Sequence, residues 1–383
     1  MYRDQSFLDW PFFSDKHRLL ATELESWCQQ NLPVDHSDVD AACIDLVAKL
    51  GSDGWLKHSA VDVSSDQSLD VRSLCLIRET LARYDALADF AFAMQGLGTG
   101  AISLFGSAEQ QQWLEQTRTG TTLSAFALTE AQSGSDVANI TLSARREGDD
   151  YLLNGEKTWI SNGGIAGLYC VFARTADTGA KGLSAFIVSA DTQGFSIAER
   201  LHTIAPHPLA RLTFDNVRIS ASNRIGAEGE GFKIAMSVLD VFRSTVGAAA
   251  LGFARRALAE SVSRVKSREL FGSPLIELQM VQGHIADMAL DVDAAALLVY
   301  RAAWTKDTGA SRVTREAAMA KLYATDNAQK VIDAAVQLHG GDGVRSGTVV
   351  ETLYRNIRAL RIYEGASDVQ KIIIARQVMI GSN

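Results

Sequence analysis

The chain has 383 residues, a formal net charge of −8 and a hydrophobic fraction of 47%. That length suffices for two or three domains around a large core. The acidic balance argues against nucleic acid as the main partner, because phosphates demand a concentrated basic surface.

The N-terminal "MYRDQSFLDWPFFSDKH" has charges and a proline among its apolar residues, so it lacks the apolar centre of a signal peptide. No apolar run reaches the roughly 18 to 20 residues that cross a bilayer, so no membrane insertion is expected. The four cysteines, Cys28, Cys43, Cys75 and Cys170, form no CxxC or Cys/His cluster. Neither a metal site nor a disulfide framework is expected, and reduced thiols in a cytoplasmic compartment are.

Only five prolines occur, at 11, 33, 206, 208 and 274, which leaves long stretches free to be helical. In residues 1–120, "HRLLATELESWCQQ", "VDAACIDLVAKLG" and "LDVRSLCLIRETLARY" repeat apolar residues at three- and four-residue spacing, predicting a helical N-terminal domain. "GLGTGAISLFG", at 96–106, has dinucleotide-loop spacing but no strand before it and no βαβ unit around it. A close helix contact or a kink is expected there instead.

The texture changes near 121. "TTLSAFALTE", "LYCVFART", "LSAFIVSA" and "ARLTFDNVRIS" are short, alternating segments separated by turns such as "EGDD" and "LNGE". Residues 121–225 are therefore expected to form an antiparallel β-barrel or sandwich. Beyond the glycines of "GAEGEGF", residues 226–383 turn helical again and predict an antiparallel helix bundle. Helices, sheet, helices is not the alternation of a parallel-sheet nucleotide fold.

Near the end, "RIYEGASDVQ" puts Glu364 at a break between two helical, largely apolar segments. A carboxylate there either caps the next helix, a role Ser367 and Asp368 already serve, or is held partly dry to take a proton. Asp240 and Arg243, three apart on a predicted helix, share a face. The seven histidines show no ligand spacing.

"FALTEAQSGSDVA" (126–138), "KTWISNGG" (157–164), the Arg268–Phe271–Gln279 stretch, "QLHGGDG" (337–343) and "YEGASDVQ" together resemble the acyl-CoA dehydrogenase family, in order and across nearly the whole chain. The resemblance implies FAD as cofactor, an acyl-CoA substrate in fatty acid metabolism, an electron-transfer flavoprotein as electron acceptor, and a homodimer or homotetramer. It implies flavin contacts by Phe126, Leu128, Thr129, Trp159 and Ser161, the indole of Trp159 stacking on a flat ring. Arg268, Phe271, Gln279, Gln337 and Gly341 are implied to reach FAD of a neighbouring subunit, Arg268 pairing with pyrophosphate.

Glu364 matches the base that abstracts the α-proton. Ser135, Asp240, Arg243, Tyr363 and Gly365 are implied substrate contacts, and Ala366 and Asp368 cofactor contacts. Four departures from the family's usual pattern stand out: Ala131-Gln132-Ser133 in the first loop, Leu270 and Ala366 in place of a frequent Thr, and Asp368 in place of Gln or Glu. A carrier-protein thioester as substrate, an oxidase or monooxygenase activity, and a non-catalytic flavin-bearing binding protein are the alternatives on this scaffold.

Overall fold

The computed structural model describes residues 4–62 and 68–381. The chain divides into two compact units, one of Met1–Val34, Asp70–Asp89 and Asp240–Asn383, the other of Asp35–Leu69 and Phe90–Leu239. Five helices precede the sheet: α1 (Asp15–Asn31), α2 (Val39–Ser52), α3 (Val71–Tyr84), α4 (Ala86–Phe105) and α5 (Gln112–Arg118). Aspartates start two of them. Asp38 accepts from Ala41 N at 3.0 Å and Asp70 from Ser73 N at 3.1 Å, satisfying donors that a helix start leaves free.

Every residue of α3 from Ser73 to Ala82 is buried, so its charged members need partners within the fold. Glu79 finds Arg255 at 2.7 Å and the Tyr300 hydroxyl, and Arg78 finds Asp89 at 2.8 Å.

The second unit carries β1 (Ser124–Ala127), β2 (Ser143–Glu147), β3 (Asp150–Ser161), β4 (Leu168–Arg174), β5 (Leu183–Ser189), β6 (Phe195–Arg200), β7 (Leu209–Ser220) and β8 (Arg224–Ile225). Their order is β6-β7-β3-β2-β4-β5-β8, with β1 beside β4. The sheet is mixed, which corrects the antiparallel expectation: β1 and β2 both pair β4 in parallel. The chain returns to β1 only after the β2–β3 hairpin, and such a long connection permits parallel pairing. β4 and β5 are buried almost throughout and accordingly read as near-continuous apolar runs.

The glycines of α4 serve packing. A Cβ on Gly98 would lie 2.5 Å from Ser124 Oγ and 2.8 Å from Ala125 N, so only glycine lets this helix approach β1.

The remaining elements are α6 (Gly231–Ser267), the two-residue strands β9 (Glu269–Leu270) and β10 (Ser273–Pro274), α7 (Gln279–Asp307), α8 (Thr314–His339), α9 (Val349–Leu360) and α10 (Ser367–Ile380). In the first unit α8 packs on α7, α9 and α10. One sequence expectation needs correcting here. α6 contains an 18-residue stretch apolar enough to cross a membrane, but 83% of that stretch is buried inside the fold, as in a core helix.

Candidate active site

α9 ends at Leu360 and a tight turn leads into α10 at Ser367. Within it Glu364 has φ 52° and Gly365 φ 95°, two successive left-handed residues that reverse the chain. For glutamate that conformation costs about 1–2 kcal/mol, strain of the kind that gathers at functional sites. Glycine next to it is favoured by its left-handed φ, and a Cβ there would also lie 2.2 Å from Gln370 Nε2, so that amide would have to move.

The turn is held by its carbonyls. Lys321 Nζ donates to Gly365 O at 2.7 Å, and Gln370 Nε2 donates to Gly365 O at 3.0 Å and Glu364 O at 3.4 Å. Arg243 Nε donates to Glu364 O at 3.4 Å. Asp326 of α8 ties both ends, accepting from Arg361 Nε at 2.8 Å and Ser367 Oγ at 2.8 Å. Asp240 lies 3.5 Å from Arg243 Nη1 and accepts from Thr314 Oγ1 at 2.7 Å.

Its backbone is pinned, but the Glu364 carboxylate is not fully hydrogen-bonded. Its Oε2 is shielded from solvent and has no hydrogen-bond partner, and no acceptor among the described residues meets its backbone N–H. Burial pushes its pKa up to about 7; the charges of Arg78, Lys321 and Arg243 offset this only in part, and Asp89 adds to it. Burial likewise pushes Lys321, which is fully enclosed, down to about 8 against the pull of Glu364 and Asp326.

The capping reading does not hold for this carboxylate. The residue before α10 is Ala366, with no side-chain cap bond. Nor do Ser367 and Asp368 cap the helix: Ser367 is engaged by Asp326 and Asp368 by Lys371 at 3.3 Å.

Elsewhere in the same unit, Arg268, Phe271 and Gln279 are all exposed. Phe271 sits at the tip of the β9–β10 hairpin with φ 55° and 93% of its surface accessible. Gln337 and Gly341, at the end of α8 and just past it, are exposed too.

In the second unit Phe126 lies in β1 with its ring 4.9 Å from that of Phe172, followed by buried Leu128 and half-buried Thr129. Thr129 O accepts from Thr158 N at 3.0 Å, which brings the "FALTE" and "KTWIS" segments together. The wholly buried Lys157 reinforces the junction, donating to Leu128 O at 2.9 Å and Glu130 Oε1 at 2.8 Å. The β3–β7 register then slips between Lys157 and Ile160. Trp159 is thrown out of the ladder at φ 57°, its side chain 58% exposed. Ser161 rejoins the ladder opposite Leu209, and Ser135 is exposed on its loop.

Sequence reasoning overlooked Lys321, Asp326, Gln370 and the Lys157–Glu130 pair. A signal for the first existed: the lysine of "AAMAKLYAT" interrupts a run of small and apolar residues at helical spacing.

Three consecutive family models match the chain: the acyl-CoA dehydrogenase N-terminal domain over residues 14–121, the middle domain over 125–217 and the C-terminal domain over 229–379. The probable acyl-CoA dehydrogenase fadE25 of Mycobacterium leprae is 36% identical over 372 residues, covering 95% of this chain and 96% of its own. Butyryl-CoA dehydrogenase from Megasphaera elsdenii is a solved structure with TM-score 0.89 and 33% identity, covering 96% of this chain and 99% of that one. A chain solved under the electron transferring flavoprotein of Acidaminococcus fermentans gives TM-score 0.91 at 34% identity, with coverage of 96% and 99%.

The class so defined is that of flavin-dependent oxidoreductases acting on CH–CH bonds. The chain belongs to the acyl-CoA dehydrogenase family, and FAD, bound in solved members, is its cofactor. The residues present fit that cofactor. The open indole of Trp159 suits a flat ring, and Glu364 Oε2 is buried without a hydrogen-bond partner among the described residues.

Proposed function

We propose that this protein removes the α-proton and the β-hydride from an acyl-CoA thioester to give the 2-enoyl thioester, with Glu364 as the base. The observation that carries this reading is the Glu364 carboxylate, whose Oε2 is buried and unpartnered in a turn fixed from three sides. An acyl thioester α-proton is weakly acidic, so its removal needs a base whose proton affinity is raised toward that of the activated carbon. Burial supplies that here, pushing Glu364 up to about 7. The free Glu364 N–H is a donor for the thioester carbonyl oxygen, where charge gathers as the proton leaves. Bound FAD supplies the acceptor for the β-hydride. Phe126, Leu128, Thr129, Trp159 and Ser161 are assigned to holding it, with Ala366 and Asp368 as further contacts. Ser135, Asp240, Arg243, Tyr363 and Gly365 are assigned to the substrate.

Electrons are proposed to leave through an electron-transfer flavoprotein, a partner supported by the likeness to the Acidaminococcus fermentans chain. A homodimer or a homotetramer is proposed as well. A phenyl ring 93% exposed on a left-handed hairpin tip is poorly satisfied by its own chain, and a neighbouring subunit's FAD gives Phe271, Arg268, Gln279, Gln337 and Gly341 a ligand.

The test is an anaerobic titration of the purified yellow protein with a panel of acyl-CoA thioesters. Bleaching of the flavin band by at least one of them, with enoyl-CoA formed in equal amount, is expected. A flavin that stays oxidised with every thioester, or peroxide release in air as the main product, overturns the dehydrogenase reading.

A further inference from the structure

Lys321 of α8 is wholly buried, yet among the described residues its ammonium makes a single hydrogen bond, to Gly365 O at 2.7 Å, and no ion pair. An ammonium carries three donors, and burying its charge beside one carbonyl is costly. Lys157, also wholly buried, differs in that respect: it has the Glu130 carboxylate at 2.8 Å besides a carbonyl. A neutral donor would hold the Gly365 carbonyl without that cost, so the charge of Lys321 calls for a reason of its own.

The charges around the turn supply one. Arg78 of α3 is paired with Asp89 of α4 at 2.8 Å, and Arg243 of α6 with Asp240 at 3.5 Å. Arg361, just past α9, is paired with Asp326 of α8 at 2.8 Å, and on α10 Asp368 is paired with Lys371 at 3.3 Å. Each of these cations has its own carboxylate. Tyr363, in the turn itself, is a phenol and neutral near pH 7. Two charges of this neighbourhood then stand without an ion-pair partner among the described residues. One is the Lys321 ammonium bonded to Gly365; the other is the carboxylate of Glu364, the residue before it, whose Oε2 is buried and unpartnered. They are opposite in sign, belong to the same turn, and each favours the charged form of the other.

We propose that Lys321 is a positioning residue for the base: its ammonium fixes the turn through the Gly365 carbonyl and is the counter-charge that keeps the Glu364 carboxylate ionised when substrate displaces water from it. Without a counter-charge, burial favours the protonated carboxyl, which has no capacity for a substrate proton. Lys321 acts through Glu364 and takes no proton from the substrate itself. The role rests on the reading of Glu364 as the base of a thioester dehydrogenase.

The experiment follows deuterium uptake at the α-carbon of straight-chain acyl-CoA thioesters in D₂O as a function of pH. It uses full-length, FAD-loaded wild type, Lys321→Met and Lys321→Gln. The pH midpoint of uptake is expected to rise by about one unit in both variants, the effect of losing one nearby opposite charge. From a wild-type midpoint of about 7, that shift makes uptake about fivefold slower at neutral pH. A lysine that only props up the fold would lower uptake by the same factor at every pH. Such a uniform loss, or an unmoved midpoint, overturns the role and leaves the dehydrogenase reading intact. Urea unfolding at a pH above the Glu364 midpoint gives a second readout. Glu364→Gln should raise the urea midpoint more in the Lys321→Met background than in wild type, because there it removes a buried carboxylate that has lost its counter-charge. Equal increments in the two backgrounds contradict the pairing. No uptake by wild type with any thioester overturns this role and the reading of Glu364 together.

Discussion

Two glutamates, one in each compact unit, lie in sheltered surroundings and have opposite fates. Glu130 is saturated: it accepts from Lys157 Nζ at 2.8 Å, Thr141 N at 2.6 Å, Thr141 Oγ1 at 2.8 Å, Leu142 N at 2.9 Å and Gln132 Nε2 at 3.1 Å. Burial works to raise its pKa, but Lys157 and the hydrogen bonds outweigh burial and hold it below the usual carboxylate range. Glu364 has cations around it but no hydrogen bond to Oε2, and there burial wins. Under the proposed function, the difference separates a carboxylate used to build from one kept to react. A satisfied one has no capacity left for a substrate proton, whereas an unsatisfied one stores the tendency to take it.

The contrast breaks most visibly in Glu364→Gln. Reduction of the flavin by an acyl-CoA, followed by stopped flow, is expected to slow by about 10²- to 10⁴-fold, the usual contribution of a positioned base. The variant should keep its yellow colour, since the change leaves the cofactor contacts alone. A variant reduced as fast as wild type would show that the unsatisfied carboxylate is incidental.

Next in size is Lys157→Met, which strips the saturated glutamate of its cation. Leaving Glu130 buried and uncompensated should cost about 3–5 kcal/mol in urea unfolding. Adding Glu130→Gln should recover part of that loss, because the charge no longer needs a partner.

A smaller effect is the pH dependence of stability. Glu364 has a folded pKa of about 7 against an ordinary 4.5, so between those values the folded state binds the extra proton. The contribution of this group to stability is therefore full at low pH and is lost as pH rises through about 7. Relative to wild type, Glu364→Gln should unfold at a higher urea concentration at about pH 8 than at about pH 5. The opposite trend would place the pKa shift in the wrong direction.

How much of this was legible in the sequence divides along contact distance. Glycine spacing in "GLGTGAISLFG" without a preceding strand gave the close helix contact of Gly98, and "YEGASDVQ" pointed to the carboxylate at the break between helices. Trp159 was readable, by the resemblance, as a ring to stack on the flavin, but its exposure and left-handed bulge were not, because they depend on a slip of β3 against β7. The clamps were silent for the same reason. Lys321 reaches Gly365 from a helix forty-four residues earlier, and Arg78 meets Asp89 across the break between α3 and α4. Asp326 engages Ser367, which by sequence looked like a cap. The parallel pairing of β1 with β4 likewise depends on the whole β2–β3 excursion rather than on either strand. Local composition shows what a residue prefers; which distant partner overrides that preference is a property of the packed chain.

The most direct measurement is solvent deuterium uptake at the α-carbon of a bound acyl-CoA in D₂O, followed by NMR for wild type and Glu364→Gln. Uptake isolates the proton step from electron transfer. It should be present in wild type, increase as pH rises through about 7 and vanish in the variant. Undiminished exchange in Glu364→Gln would contradict the assignment of Glu364 as the base.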